Sequence, residues 1–241
     1  MILDDARVLV FSAHAADFCS RAGGTLLRIV ESGGAVQVHA LTYGERCEAP
    51  ALWQADPDRD VEEVKQIRKD EIAAASEILG VPVSCFDWGD SPLVLDQHRL
   101  EALVQAIRAF RPDTVLTHWK NDVMHPDHVE TTRGVIWAVS YCGAGGIKTQ
   151  DPPCPRPRLF CYETTIGTAP AAGFLPEAYV DISSVIDRKL EALAKFEAQF
   201  NLSDTYDVLG RYRGFEAKST AGMSACTHAE GFVPIGTQSA G

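Results

Sequence analysis

Short apolar runs alternate along the first half of the chain with longer segments whose apolar residues recur every three or four positions. Continuous apolar runs are typical of strands buried on both faces of a parallel sheet, and the longer period is typical of helices. The predicted strands are 7–13, 35–42, 81–87 and 114–118, and the predicted helices are 24–31, 60–79 and 100–110. Because strands and helices in alternation indicate βαβ units, we expect an α/β, Rossmann-like parallel sheet with helices on both faces.

The second half of the chain is less regular. Its pattern predicts helices at 129–142 and 185–199, strands at 159–163 and 178–182, and a Gly- and Pro-rich loop at 143–157. We expect this C-terminal part to extend the sheet and to cover the site.

Composition and charge narrow the class of protein. The chain has 241 residues, of which 46% are hydrophobic and 23% charged, and this is ordinary for a soluble globular protein. A net charge of −11 argues against nucleic acid or an anionic membrane surface as the main partner, but a local cationic pocket can still bind a small anion. No apolar run is long enough to cross a membrane, and the start MILDDARVLV lacks the basic region of a signal peptide. We therefore expect a cytoplasmic protein.

The seven cysteines are scattered, and no two are spaced C-x-x-C. We expect most of them to be small buried hydrophobic residues in a reducing compartment. On this interpretation, the chemistry of the protein lies elsewhere.

Polar residues that suit catalysis follow the predicted strands, where the ligand crevice of an open α/β sheet lies. His14 and Asp17 follow the first strand, and the segment 118–128, which ends in His125-Pro-Asp-His128, follows the fourth. Two imidazoles and one carboxylate with an open fourth position make a catalytic zinc site. Spacing alone also fits a core histidine at 14 and a solvated helix start at 125, so the residues leave both interpretations open.

Four segments, SAHAAD at 12–17, AGGTL at 22–26, TYGE at 42–45 and HPDH at 125–128, occur in this order. Together they resemble the LmbE-like (PIG-L) zinc deacetylase superfamily over most of the chain. The resemblance implies one LmbE-like α/β domain spanning residues 1–241.

The resemblance also implies one Zn²⁺ per chain and assigns roles to residues. It implies that His14, Asp17 and His128 bind the metal. It further implies that His125 is the cationic or acid group facing a substrate oxygen, and that Asp127 orients an imidazole.

One position departs from the family pattern A-H-P-D-D. The first Asp of that pattern is the general base that activates the metal-bound water, and here Ala16 replaces it. A general base contributes about 10²–10⁴-fold to a rate, so amide hydrolysis would be badly impaired unless another group substitutes. A slow hydrolase is one explanation, and a different reaction is another.

The segments 12–18, 44–46 and 228–231 resemble the 4-oxalomesaconate hydratase branch of the superfamily. This resemblance implies that water is added to an unsaturated keto-polycarboxylate in aromatic-compound degradation. Zinc would then bind the α-keto acid and stabilise its enolate, while Glu45 or Glu48 deprotonates the attacking water. In that branch a His acts in the region corresponding to 162–165. This chain has none there, so Glu163 takes that role or the substrate differs.

Several further residues are candidates for substrate binding. Arg binds a carboxylate through two parallel hydrogen bonds, so cations in predicted loops suit a small anionic substrate. His228 and Glu230 could close the pocket or relay a proton, although packing or capping is an equal alternative. The candidate cations are Arg46, Arg211, Arg213 and Lys218.

Three classes of function follow. The leading hypothesis is a zinc-dependent hydro-lyase, and the alternative is a zinc-dependent N-deacetylase or amidohydrolase of a sugar or thiol conjugate. The third is a non-catalytic protein that retained the metal. A homo-oligomer is expected from the resemblance only.

Overall fold

The computed structural model describes residues 7–236, and within that range seven strands form one sheet flanked by eight helices. The strands are β1 (Arg7–Ser12), β2 (Ala35–Ala40), β3 (Val83–Cys85), β4 (Thr114–Thr117), β5 (Arg158–Tyr162), β6 (Ala178–Asp181) and β7 (Ala229–Ile235). The helices are α1 (Asp17–Glu31), α2 (Pro50–Ala55), α3 (Val61–Leu79), α4 (Gln97–Phe110), α5 (Pro126–Tyr141), α6 (Ala169–Ala172), α7 (Ile186–Leu193) and α8 (Leu202–Ala221).

The strand order is β3-β2-β1-β4-β5-β7-β6, and the first five strands of this order are parallel. The predicted α/β architecture is therefore confirmed. One part of the prediction is wrong, because β7 runs antiparallel to both β5 and β6, so the sheet is mixed. Residues 229–235 (AEGFVPI) carry Glu, Gly and Pro, which are uncommon in strands, and for that reason their pattern did not indicate one.

Alternate residues of β1 enter two separate apolar layers. Val8 and Val10 pack with residues of α1, α3 and α7 on one face of the sheet. Leu9 and Phe11 pack with residues of α4 and α5 on the other face. This alternation follows from the period of two along a strand, and it confirms the expected helices on both faces.

Helix α1 begins at Asp17, directly after the first strand, whereas the sequence predicted its start at Gly24. Gly24 lies inside the helix, at the point where the backbone of α1 comes close to the side chain of Ile182. A Cβ built on Gly24 would lie 2.7 Å from Cγ2 of Ile182. The glycine therefore allows α1 to pack against the segment after β6, and the early start puts Asp17 in the first helical turn.

The predicted helix 185–199 ends at Leu193, and the chain forms a second long helix, α8, that the pattern did not predict. The pattern failed because Val208, Tyr212 and Phe215 of α8 are exposed, so its apolar residues do not mark a buried face. Arg211, Arg213 and Lys218, expected in loops, all lie on this helix. Within residues 7–236, no helix is both long enough and apolar enough to cross a membrane.

Candidate metal centre and active site

The histidines singled out by the sequence meet at the carboxyl edge of the parallel strands. His14 follows β1, Asp17 opens α1, and His128 lies in the first turns of α5. The loop after β4 carries Asp122 and His125 to the same edge. This is where ligands of open α/β sheets bind.

His14, Asp17 and His128 are buried, and their donor atoms lie within 4.8 Å of one another. Nδ1 of His14 is 3.3 Å from Oδ2 of Asp17, and Nε2 of His128 is 3.6 Å from Oδ1 of Asp17. Tetrahedral zinc with ligand bonds near 2.0–2.1 Å separates its ligands by about 3.4 Å. Both nitrogens are buried without a hydrogen-bond partner in the described part of the chain. The three side chains therefore fit a divalent metal.

Asp122 orients His128. Its Oδ2 lies 2.8 Å from Nδ1 of His128 and also accepts hydrogen bonds from the backbone and hydroxyl of Thr165. A proton on Nδ1 leaves the lone pair of Nε2 free for the metal. Burial and the neighbouring His118 hold the pKa of His128 well below its usual value, which favours the neutral, ligating form. The sequence did not single out Asp122, although it lies within the predicted ligand-rich segment.

Asp127 contacts the other histidine, His14, and the role predicted for it, orienting an imidazole, stays a prediction. Its Oδ2 lies 3.4 Å from Nε2 of His14, and it accepts backbone hydrogen bonds from Ser91 and Leu93. Burial would raise the pKa of Asp127, but the hydrogen bonds from His14 and the backbone lower it to about 2. Asp127 is therefore an anion in contact with the ring of His14.

Two groups around Asp17 were not anticipated. Arg21 donates to Oδ1 of Asp17 at 2.6 Å, and Nε2 of His118 lies 3.4 Å from Oδ2. The backbone N–H of Ala13 donates to that same Nε2 of His118 at 2.9 Å, so this nitrogen carries no proton. Burial lowers the pKa of His118 to about 4. The sequence placed His118 at the start of the ligand-rich segment 118–128 but gave it no role of its own.

His125 and Glu48 form an ion pair beside the candidate metal ligands. Nε2 of His125 lies 2.7 Å from Oε1 of Glu48, and Gln199 donates to the other oxygen. Burial would lower the pKa of His125, but contacts with Cys47 and Glu48 raise it to about 9. Burial would raise the pKa of Glu48, and the hydrogen bond from His125 reverses this. The pair is therefore charged near neutral pH.

The other two candidates between β2 and α2, Glu45 and Arg46, do not contact His125 in the described residues. Glu45 is 2% exposed and its Oε2 has no hydrogen-bond partner within residues 7–236. Burial and the charge of Asp90 raise its pKa. In the described residues it is Glu48, and not Glu45, that contacts His125. Arg46 is exposed next to this loop.

Cys47 contradicts the expectation that the cysteines lie away from the chemistry. Five of the seven cysteines are buried as expected, but Cys47 is exposed. Its Sγ lies 3.9 Å from Nε2 of His14.

Most of the substrate-binding candidates in the C-terminal part form ion pairs or hydrogen bonds with neighbouring side chains. Arg213 pairs with Glu163 and Glu216, and the ring of His228 contacts Asp207 at 3.1 Å. Further contacts of the same kind join Glu230 to Lys189, Gly24 and Thr25, and Arg211 to Asp207. Lys218 is exposed. These contacts favour structural roles, and a role in substrate binding stays a prediction.

The chain is similar in sequence and fold to known proteins. The family model of GlcNAc-PI de-N-acetylase (PIG-L) matches residues 9–139. The 4-oxalmesaconate hydratase of Pseudomonas putida (strain KT2440) is 33% identical over 230 residues, covering 94% of this chain and 88% of the relative. The diacetylchitobiose deacetylase of Thermococcus kodakarensis is 30% identical over 244 residues, covering 96% of this chain and 84% of the relative. The crystal structure of GalB, the 4-carboxy-2-hydroxymuconate hydratase of P. putida KT2440, matches with a TM-score of 0.91 at 32% identity. The match covers 97% of this chain and 98% of GalB.

Proposed function

Because the chain belongs to the PIG-L family, we propose that it is a zinc-dependent hydratase of an unsaturated keto-polycarboxylate such as 4-oxalomesaconate. The similarity to a hydratase over nearly the whole chain, in both sequence and structure, supports this proposal. We propose that it acts in the cytoplasm on a small anionic substrate. A homo-oligomer stays a prediction.

The observation that carries the proposal is the position of Ala16. In the family pattern this position holds the base for hydrolysis, and here the side chain is 4% exposed and belongs to an apolar cluster that includes Phe18. Because residue 16 is alanine, the chain has no carboxylate at the position of the family's base. The residues suited to proton transfer are instead Glu48 and His125.

His14, Asp17 and His128 would hold one Zn²⁺ per chain, and zinc bound there would supply Lewis-acid polarisation of a substrate carbonyl. In the proposal, the exposed Arg46 binds a substrate carboxylate near the mouth of the site.

Glu48 and His125 handle the protons in the proposed reaction. Hydration breaks one O–H bond of water and the π bond between the α- and β-carbons, joins the hydroxyl oxygen to the β-carbon and joins a proton to the α-carbon. Glu48 takes the proton of the attacking water, and protonated His125 gives a proton to the α-carbon. His125 gives this proton from Nδ1, because its Nε2 proton is hydrogen-bonded to Glu48 at 2.7 Å. Glu48 then releases its proton to solvent and Nδ1 of His125 takes one up, which restores both groups.

The second candidate function is zinc-dependent N-deacetylation of a sugar or thiol conjugate, supported by the 30% identity to a diacetylchitobiose deacetylase. One experiment separates the two functions. The ultraviolet absorbance of 4-oxalomesaconate and related enol acids is followed beside acetate release from N-acetyl sugars. We expect loss of the conjugated chromophore without acetate release. Acetate release at ordinary enzymatic rates with an unchanged chromophore would reverse the ranking.

A further inference from the structure

A second group of metal-binding atoms lies next to the first. The side chains of His14, Cys47 and His125 place one donor atom each within 4.8 Å of one another. His14 contributes through its outer nitrogen, Nε2, since Nδ1 faces Asp17. Nδ1 of His125 is buried without a hydrogen-bond partner among residues 7–236.

The spacing of these atoms suits a soft cation. A tetrahedral zinc ion with bonds of about 2.3 Å to sulfur and about 2.05 Å to nitrogen separates the two ligands by about 3.6 Å. The observed distance from Sγ of Cys47 to Nε2 of His14 is 3.9 Å. The nearby carboxylates are less available, because both oxygens of Asp90 and of Asp127 accept backbone hydrogen bonds. A thiolate with two imidazoles is a ligand set for thiophilic metals.

We propose that Cys47, His125 and the outer nitrogen of His14 bind a second, thiophilic divalent cation, such as Cd²⁺ or excess Zn²⁺. Binding releases to solvent the thiol proton of Cys47, the Nε2 proton of His14 and the Nδ1 proton of His125, and it replaces the His14–Asp127 hydrogen bond. With a metal on each nitrogen, His14 becomes an imidazolate bridge, so the second cation binds more weakly than the first. It also engages His125, and, on the proposed function, this inhibits the enzyme. This site does not depend on which reaction the enzyme catalyses.

Cadmium is the probe, because a Cd²⁺–thiolate bond gives an ultraviolet charge-transfer band that reports cysteine ligation directly. Protein holding one equivalent of Zn²⁺ is titrated with Cd²⁺, and both metals are counted by mass spectrometry after gel filtration. We expect a band that saturates at one further equivalent. Cys47→Ala should abolish the band and weaken the second site at least about tenfold, and His125→Ala should weaken it similarly.

Two control variants show whether the band comes from this second site, and not from another cysteine or from the first metal site. Cys85→Ala removes the half-buried cysteine and should leave the band unchanged. His128→Ala removes a ligand of the first site alone, so it should lose the Zn²⁺ equivalent and keep the band. The proposal is overturned if the wild type binds no second equivalent, or if Cys47→Ala keeps the band. Failure of the first site would instead appear as full Zn²⁺ content in His128→Ala.

Discussion

The two nitrogens of His14 face different neighbours. Nδ1 points to Asp17, while Nε2 points to Asp127 and Cys47. Which nitrogen faces which group is set by the turn between β1 and α1, so it could not be predicted from spacing. The family resemblance singled out His14, Asp17 and His128 as candidate metal ligands, and the structure brings the three side chains together. The contacts of His118 and the Glu48–His125 contact required the folded chain, because their partners are distant in sequence. Asp122 lies only six residues from His128, but its second partner, Thr165, is 43 residues away.

Loss of a metal ligand should empty the first site. Purified wild-type protein should contain about one equivalent of Zn²⁺, and His14→Ala and His128→Ala should each lose most of it, because an open zinc site has only three protein ligands. Metal content is measured by mass spectrometry. His98→Ala, which changes an exposed histidine of α4, is the control and should keep its metal. Full occupancy in both ligand variants would refute the assignment.

Restoring the family carboxylate should harm the proposed reaction. Ala16→Asp puts a second anion beside Asp17 and should repel the carboxylates of the substrate. A pair of like charges at ~4 Å costs about 4 kcal/mol at an effective dielectric constant near 20. We expect at least a ~10-fold loss of hydration rate, corresponding to only ~1.4 kcal/mol after relaxation. Ala16→Asn has the same shape without the charge and should lose less. A faster hydration rate in Ala16→Asp would indicate an impaired hydrolase.

Two isosteric substitutions test which glutamate is the base. Glu48→Gln keeps a polar contact with His125 but cannot take a proton, so kcat should fall by about 10²-fold or more with little change in KM. Glu45→Gln should have a much smaller effect, since in the described residues Glu45 does not touch His125. Steady-state kinetics of both variants give the answer. The reverse pattern would move the base to Glu45.

At the scale of elements, buried charge joins α1, α7 and β7. The carboxylate of Glu230 accepts hydrogen bonds from the backbone of Gly24 and Thr25, and from Nζ of Lys189 at 2.7 Å. Both charged side chains are nearly inaccessible to solvent. Neither β7 nor this contact was predicted. The hydrogen bonds from Gly24 and Thr25 span 206 and 205 positions, and the Lys189–Glu230 ion pair spans 41, whereas the pattern describes only local periodicity.

Removing one charge of this pair should destabilise the fold. Glu230→Gln keeps acceptors for the backbone but leaves the Lys189 ammonium buried and unpaired, so the free energy of unfolding should fall by about 3 kcal/mol. Urea denaturation measures the change. The double variant Lys189→Met/Glu230→Gln removes both charges and should recover most of the loss. A single variant as stable as the wild type would show that the pair contributes little.

For the whole molecule, acid stability should depend on His39. Gln37 donates to its Nε2 at 3.1 Å, and its Nδ1 lies 2.6 Å from the hydroxyl of Ser84, which fits the neutral ring. Burial lowers the pKa of His39 from 6.5 to about 4. Between these values the unfolded chain binds a proton that the folded chain does not, so stability falls as the pH decreases from 6.5 to 4.

A variant without His39 tests whether this histidine makes the protein less stable at acid pH. His39→Gln removes the titrating group, so its free energy of unfolding should decrease less steeply between pH 6.5 and 4, by close to one proton at pH 5. Urea denaturation at several pH values gives the slope for both proteins. Equal slopes would show that His39 titrates alike in the folded and unfolded states.

The parallel part of the sheet could be predicted because its strands are continuous apolar runs that alternate with helices. The C-terminal part could not, because α8 exposes its apolar residues and β7 contains Glu, Gly and Pro. Tertiary contacts override local preference there. We propose that residues 1–241 form one domain, since every described strand belongs to one sheet.

The place of β7 between β5 and β6 has a consequence for synthesis. A ribosome releases the chain from the N-terminus, so β5 and β6 emerge well before residues 229–235. Until then β6 has no neighbour in the sheet and β5 has an open edge, because β7 is the strand that pairs with both. Open strand edges are sites of aggregation. The nascent chain therefore leaves β5 and β6 open on the sides that β7 later covers until residues 229–235 have emerged, and this is the interval in which a chaperone would protect it.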